Sequence, residues 1–337
     1  MQNKITAFEI DSFEKEYLVK NLPTEFEVNY IEESITPDLA KQYNDSEYLI
    51  IFVYSQITPE IVDSMPNLKA IFTMSTGFDH IDVNYCKSKN ISVHNVPFYG
   101  ENTVAEHTFA LILALSRRLY ESLQRTANLD FTPDGLLGFD LKGKTLGIIG
   151  MGRIGYHTAK IAKGFDMKVQ AFDAFPREDL AKELGFEYVS LDQLLGSSDI
   201  ISLHTNYNPD THHIINKDSI QKVKKGAYII NTARGGLIET DALIWALEND
   251  IIAGAGLDVL EEECYIKEEK ILLSKSFKGN CDLHTVLQGH YLIKDPRVLV
   301  TPHNGFNSME ANVRILETTV HNIKKTLTGE ESNLIKI

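Results

Sequence analysis

The chain has 337 residues, a length that suits two domains better than a single core. Hydrophobic residues make up 43% and charged residues 24%, the balance of a globular protein, and the formal net charge of −14 argues against nucleic acid and anionic membranes as partners. An anionic substrate would need a locally placed cation. The opening MQNKITAFEI lacks the basic segment and apolar core of a signal peptide, and the longest apolar run, 109–115, is too short to cross a bilayer. Cys86, Cys264 and Cys281 show no CxxC spacing and leave an odd thiol, so a reduced, cytoplasmic setting is expected. Without HExxH or a Cys/His cluster, no metal site is expected.

Taken in order, the first hundred residues alternate strand-like and helix-like runs: 5–10 then 13–20, 47–53 then 59–64, 68–74 then 81–89, and finally 91–96. This alternation predicts a parallel sheet with helices on both faces. Asn102 or Thr103 can cap a helix over 104–120 whose apolar middle requires burial. The segment 127–142 carries Pro133, Gly135, Gly138 and the apolar Phe131, Leu136, Leu137 and Phe139, and reads as an arm suited to dimer contact.

A second sheet begins at Thr145. The stretch 145–173 is a strand, a glycine turn, a helix and a second strand ending at Asp173. In the turn, Gly150 permits the tight bend, Gly152 lets a diphosphate approach the backbone, and Gly155 lets the helix pack close to the sheet. The helix start offers N–H groups and a partial positive charge to the diphosphate. Asp173 stands where a carboxylate meets ribose hydroxyls; it would repel a ribose phosphate, and no Arg or Lys follows until Arg177, so NAD is expected rather than NADP.

Further strands are expected over 200–203, 227–231, 252–257 and 298–300, with a last helix over 308–327 started by Asn307 and Glu310. Ligands of open parallel sheets sit outside the carboxyl ends of the strands. The residues just past those ends are Asp173, His204-Thr205-Asn206, Thr232-Ala233-Arg234, Asp258 and Thr301-Pro302-His303. Reducing a ketone requires a proton donor near neutral pH, a role His303 suits, although one histidine among eleven is ordinarily structural or merely exposed. Arg234, beside two glycines, suits a bidentate grip on a carboxylate or, alternatively, a plain surface turn. Glu261-Glu262-Glu263 looks like a solvated charge run in which pattern alone selects no member, and His212-His213 reads as surface.

GMGRIG with Asp173, SLHTNYNPDTHHIIN (202–216), INTARGGLIETDAL (230–243), GAGLDVLEEE (254–263) and VLVTPHNGF (298–306) resemble, in order, the D-isomer-specific 2-hydroxyacid dehydrogenases. STGFDHID (75–82) and NVPFYGENTVAEHT (95–108) fit the same family, and its D-lactate dehydrogenase branch is nearest. The resemblance implies an α/β chain with a flavodoxin-like substrate domain, residues 1–100 plus 305–337, and a Rossmann NAD-binding domain, 101–304. It also implies roles. Arg234 binds the substrate carboxylate, Glu263 supports the catalytic histidine, and His303 is the proton donor and acceptor. Within the cofactor-binding turn of Gly150, Gly152 and Gly155, Arg153 and Ile154 meet the diphosphate; Asp173 meets the ribose, and Thr205, Asn206 and Thr211 the adenosine side. Thr232, Ala233 and Asp258 stand near the nicotinamide. Thr76 and Gly77 give backbone N–H groups to the substrate carboxylate, while Tyr54, Tyr99 and Phe306 wall a small pocket suited to pyruvate. Substrate would lie between the domains, and a homodimer is expected.

The implied activity is reduction of a 2-oxo acid by NADH, pyruvate first. Glyoxylate, hydroxypyruvate or a branched 2-oxo acid are alternatives, and an NAD-sensing corepressor-like binding protein is a rival of another class. One departure stands out: the long stretch 264–294, with a basic, polar middle, could cover or reshape the crevice.

Overall fold

The computed structural model describes residues 3–263 and 282–335. The chain divides into two compact units, residues 1–99 with 308–337, and residues 100–307.

The first unit is built on a five-stranded, wholly parallel sheet of β1 (Asn3–Ala7), β2 (Phe26–Tyr30), β3 (Tyr48–Ile51), β4 (Ala70–Thr73) and β5 (Ser92–His94), ordered β2-β1-β3-β4-β5. That is the flavodoxin-like order. The central strands β3 and β4 are buried along their whole length, as a sheet covered on both faces demands. Helix α1 (Ser12–Asn21) starts at a reciprocal cap between Asp11 and Glu14. Strand β2 escapes the alternation read from sequence. It is an edge strand whose FEVNY is buried only at Phe26, so it lacks an apolar run.

The second unit carries seven parallel strands: β6 (Thr145–Ile149), β7 (Lys168–Phe172), β8 (Glu187–Tyr188), β9 (Ile200–Leu203), β10 (Ala227–Asn231), β11 (Ile252–Leu257) and β12 (Val298–Val300). Their order, β8-β7-β6-β9-β10-β11-β12, is the doubly wound Rossmann arrangement, with its switch point between β6 and β9. Helix α2 (Glu101–Ser116) packs on α3 (Arg153–Gly164) and along β10 and β11, burying Val104, Thr108, Phe109, Leu111 and Ile112.

Three boundaries differ from expectation. Helix α2 begins at Glu101 with Gly100 at its cap and no side-chain cap bond, so Asn102 and Thr103 lie inside the first turn. The helical run also breaks at Arg118, whose φ of 48° is left-handed, and a separate helix α4 (Leu119–Ala127) follows with no buried residue. The last helix, α5 (Met309–Leu327), is capped by Ser308, whose Oγ accepts from Ala311 N, and packs in the first unit against α1 and β4. Of the long stretch 264–294, residues Leu283–Lys294 form helix α6, and 264–281 lie outside the described residues. Among the described residues no helix is long and apolar enough to cross a membrane. Cys86 is buried, and burial pushes its thiol up to about 11.

Candidate active site

The glycine turn after β6 shows three different clearances. Gly150 has a φ of 95°, and a Cβ there would lie 2.6 Å from the main-chain nitrogen of Thr205, so the end of β6 sits directly against the end of β9. A Cβ on Gly155 would lie 2.2 Å from the Gly150 carbonyl oxygen, which fixes α3 tight against the turn. A Cβ on Gly152 would meet nothing within 4 Å. Gly152, the N-cap of α3, therefore borders open space faced by the N-terminal amides of a 12-residue helix, a setting that fits a diphosphate. Arg153 is exposed and within 3.4 Å of Glu101, and Ile154 is half-buried in the first turn.

Asp173 follows β7 and accepts from Met151 N at 2.7 Å and Phe175 N at 2.8 Å, so its carboxylate is oriented by the glycine turn itself. Past β9, Thr205 is half-buried and Asn206 exposed; Thr211 Oγ1 donates to the Asn206 carbonyl at 2.7 Å and closes that loop. These residues are the ones able to hold a dinucleotide. His204 lies beneath them, its Nε2 near Ser202 Oγ (2.9 Å) and Thr158 Oγ1 (3.2 Å). The residue is half-buried as a whole, but its Nδ1 is enclosed with no hydrogen-bond partner among the described residues, and burial pushes the imidazole down to about 3.

Past β10 the loop is stapled by Asn231, which is 1% exposed. Its Oδ1 accepts from Ala233 N at 3.0 Å and its Nδ2 donates to the Arg234 carbonyl at 2.8 Å. Thr232 is nearly buried, 2.9 Å from Thr108 of α2. Arg234 is half-buried in extended backbone, and its Nη1 donates to the Ala233 carbonyl at 2.9 Å. The next residue, Gly235, has no room for a side chain, because a Cβ would lie 2.1 Å from the Leu260 carbonyl carbon. The guanidinium loop is therefore pressed against the segment that follows β11.

That segment starts at Asp258, which is 2% exposed and accepts from Thr301 Oγ1 (2.5 Å), Asn304 N (2.8 Å) and Gly305 N (2.8 Å). His107 Nε2 of α2 stands 3.2 Å from the same carboxylate. Burial works to raise the Asp258 pKa, but the hydrogen bonds from His107, Thr301 and Asn304 outweigh it, and the carboxyl sits below its ordinary value. Asp258 is thus the post on which the 301–305 turn is built.

His303 sits in that turn with a left-handed φ of 53°, its N–H held by the Asp258 and Thr301 carbonyls. Its Nδ1 is 2.6 Å from Glu263 Oε1. An ionised carboxylate only accepts, so Nδ1 carries the proton and Nε2 is the nitrogen left to exchange one with a ligand. The structure therefore brings His303 and Glu263 together and links the Arg234 loop to their segment through Gly235. Phe306 follows, half-buried.

The remaining candidates stand in the first unit, past the carboxyl ends of adjacent strands. Tyr54 follows β3, and its N–H donates to Glu9 at 2.9 Å. Thr76 and Gly77 follow β4; Thr76 Oγ1 donates to the Val96 carbonyl and Ser75 Oγ to the Gly77 carbonyl. Tyr99 follows β5, its carbonyl accepting from Arg314 Nε at 2.6 Å. Sequence reasoning passed over Asn231, His107 and Asn304, and placed Thr301 past a strand end without giving it a role. An amide ending an apolar strand was the one available signal for Asn231; the others act through contacts distant in sequence.

Residues 109–305 match the family described as "D-isomer specific 2-hydroxyacid dehydrogenase, NAD binding domain". The chain is 34% identical over 334 residues to D-lactate dehydrogenase of Escherichia coli (strain K12), covering 97% of this chain and 98% of that protein. It is 38% identical over 298 residues to glyoxylate reductase of Thermofilum pendens, covering 87% and 82%. Among solved structures it is similar to D-lactate dehydrogenase from Aquifex aeolicus complexed with NAD and lactic acid, with a TM-score of 0.83 and 38% identity over 97% of this chain and 96% of that one.

Proposed function

Since the chain belongs to the D-isomer specific 2-hydroxyacid dehydrogenase family, and is an NAD-dependent oxidoreductase of D-2-hydroxyacids, we propose that it reduces pyruvate to D-lactate. The observation that carries this reading is the His303–Glu263 pair at 2.6 Å, on a segment packed against the Arg234 loop. The hydride for the 2-oxo carbon would come from NADH when it is bound. His303 gives its Nε2 proton to the carbonyl oxygen as negative charge develops there, and Glu263 holds the ring in the required orientation and stabilises its protonated form. Arg234 grips the substrate carboxylate with its planar fork and provides the locally placed cation that an anionic substrate needs in a chain of charge −14. Gly152, Arg153 and Ile154 receive the diphosphate on the turn that Gly150 and Gly155 shape, Asp173 meets the ribose, Thr205, Asn206 and Thr211 the adenosine side, and Thr232, Ala233 and Asp258 border the nicotinamide. Thr76 and Gly77 as carboxylate donors, and Tyr54, Tyr99 and Phe306 as pocket walls, belong to the same proposal on the family pattern.

The 38% identity to a glyoxylate reductase favours a second reading, in which glyoxylate is the better substrate. Rates of NADH oxidation across pyruvate, glyoxylate, hydroxypyruvate and a branched 2-oxo acid, with the product's chirality determined, decide between them. Highest kcat/KM on pyruvate with D-lactate formed is expected; preference for glyoxylate selects the second reading, and no turnover on any of them contradicts both.

A cytoplasmic homodimer completes the proposal. Leu119 and Leu123 of α4 are exposed, as are Leu129, Phe131 and Leu137, the last at 92%, and apolar surface of this kind marks an interface. Light scattering should give a dimer that Leu123→Glu with Phe131→Glu converts to a monomer. A monomeric wild type would contradict it.

A further inference from the structure

Glu261 and Glu263 are two residues apart yet reach two different histidines. Between them Glu262 has a φ of 54°, a left-handed turn that sends the flanking side chains to different partners. Glu263 meets His303, while Glu261 Oε1 lies 2.6 Å from His213 Nε2. The other Glu261 oxygen accepts from Thr240 N at 2.9 Å and Thr240 Oγ1 at 2.5 Å, at the start of the helix Thr240–Glu248. His213 is itself left-handed, with a φ of 51°; its N–H donates to the Gly236 carbonyl at 2.9 Å, and its ring stacks on His212 at 3.8 Å. Glu261 thus joins three segments: the loop after β9, the helix after β10 and the stretch after β11. Its own main-chain nitrogen would lie 2.4 Å from a Cβ on Gly235, next to Arg234, and Leu260 N donates to Glu263 Oε2 at 3.3 Å.

We propose that His213 and Glu261 are positioning residues for the reaction, a second histidine–glutamate pair that holds residues 260–263 so that Glu263 is presented to His303 while Arg234 keeps its place. This rests on the roles given above to His303, Glu263 and Arg234. Anchoring is needed because two short side-chain contacts hang on a segment whose turn is made by a left-handed glutamate rather than a glycine, and such backbone persists only where its surroundings over-determine it. Neither His213 nor Glu261 need touch the substrate; their effect reaches the chemistry through Glu263 and Gly235.

The test compares full-length Glu261→Ala, Glu261→Gln and His213→Ala in steady-state kinetics with pyruvate and in NADH binding. The downfield proton resonance of His303 Nδ1–H, assigned by its absence in His303→Ala, is followed in the ligand-free protein. Glu261→Ala should lower kcat about tenfold or more, the size of coupling within a contacting network, with NADH affinity within about twofold. Its His303 resonance should be lost or moved upfield. Glu261→Gln should recover both, since the amide oxygen still accepts from Thr240 and its N–H₂ can reach His213. His213→Ala should lower kcat in the same sense, and adding it to Glu261→Ala should cost nothing more. An unchanged resonance and kcat in an NADH-binding Glu261→Ala protein would overturn the proposal, as would a Glu261→Gln protein no better than Glu261→Ala. If Glu261→Ala does not bind NADH, His213→Ala decides on the same two readouts. A wild type inactive on every 2-oxo acid would remove the proposed function, with the resonance still deciding the positioning role.

Discussion

In the proposed function Arg234 is the residue that grips the substrate, because a planar fork can match a carboxylate with two parallel hydrogen bonds and an ammonium cannot. Arg234→Lys keeps the charge but loses that match. We expect kcat/KM for pyruvate to fall roughly ten- to a hundredfold, as for loss of one charge-assisted hydrogen bond, with NADH affinity retained. Unaltered 2-oxo acid kinetics in this variant would remove the clamp. A second residue gives a pH signature. The His204 imidazole is pushed down to about 3 in the folded protein, against roughly 6.5 in an unfolded chain. Between those values the unfolded state binds a proton that the folded state does not, so His204 makes stability fall as pH drops, by about 1.4 kcal/mol per pH unit. The stability difference between wild type and His204→Asn should shrink from pH 6 towards pH 4; parallel curves would show the ring to be solvated. Of the site itself, His303 and Arg234 were legible because each follows the carboxyl end of a strand and suits the chemistry. Glu263 was not separable from Glu261 and Glu262 by pattern, since only the left-handed turn at Glu262 parts their side chains. His213 read as surface because its partner stands 48 residues away.

At the scale of elements, the strand–turn–helix over β6 and α3 has its three glycines under different constraints, and this separates folding from binding. Gly152→Val places a side chain in open space at an ordinary φ of −71°, so the fold should tolerate it while NADH affinity collapses. Gly155→Val drives a Cβ to 2.2 Å from the Gly150 carbonyl and should instead lower the melting temperature. Thermal melts and NADH titrations of both variants check this; equal damage to stability would show that Gly152 is structural. Apart from the two-residue edge strand β8, which no run announced, the strands of this unit were readable because both faces of a parallel sheet are covered, leaving runs such as IISL over β9 with every residue buried. Strand β2 was not, since an edge strand with one buried residue carries no such run. The break at Arg118 was also invisible: neither glycine nor proline marks it.

For the whole molecule, two parallel-sheet units each place their candidate residues past the carboxyl ends of neighbouring strands, the location that open α/β sheets give their ligands. With a net charge of −14 the general field repels the anions the chain is proposed to bind, so the proposal assigns their recognition to the local Arg234 guanidinium and to oriented main-chain N–H groups. The proposed chemistry is therefore concentrated in a few atoms, above all His303 Nε2 backed by Glu263. The most direct test is the rate of NADH oxidation by wild type and His303→Ala with saturating pyruvate and both proteins saturated with NADH. A loss of about a hundredfold or more in His303→Ala, with NADH affinity unchanged, is the predicted result; an equal rate in the two proteins would contradict it.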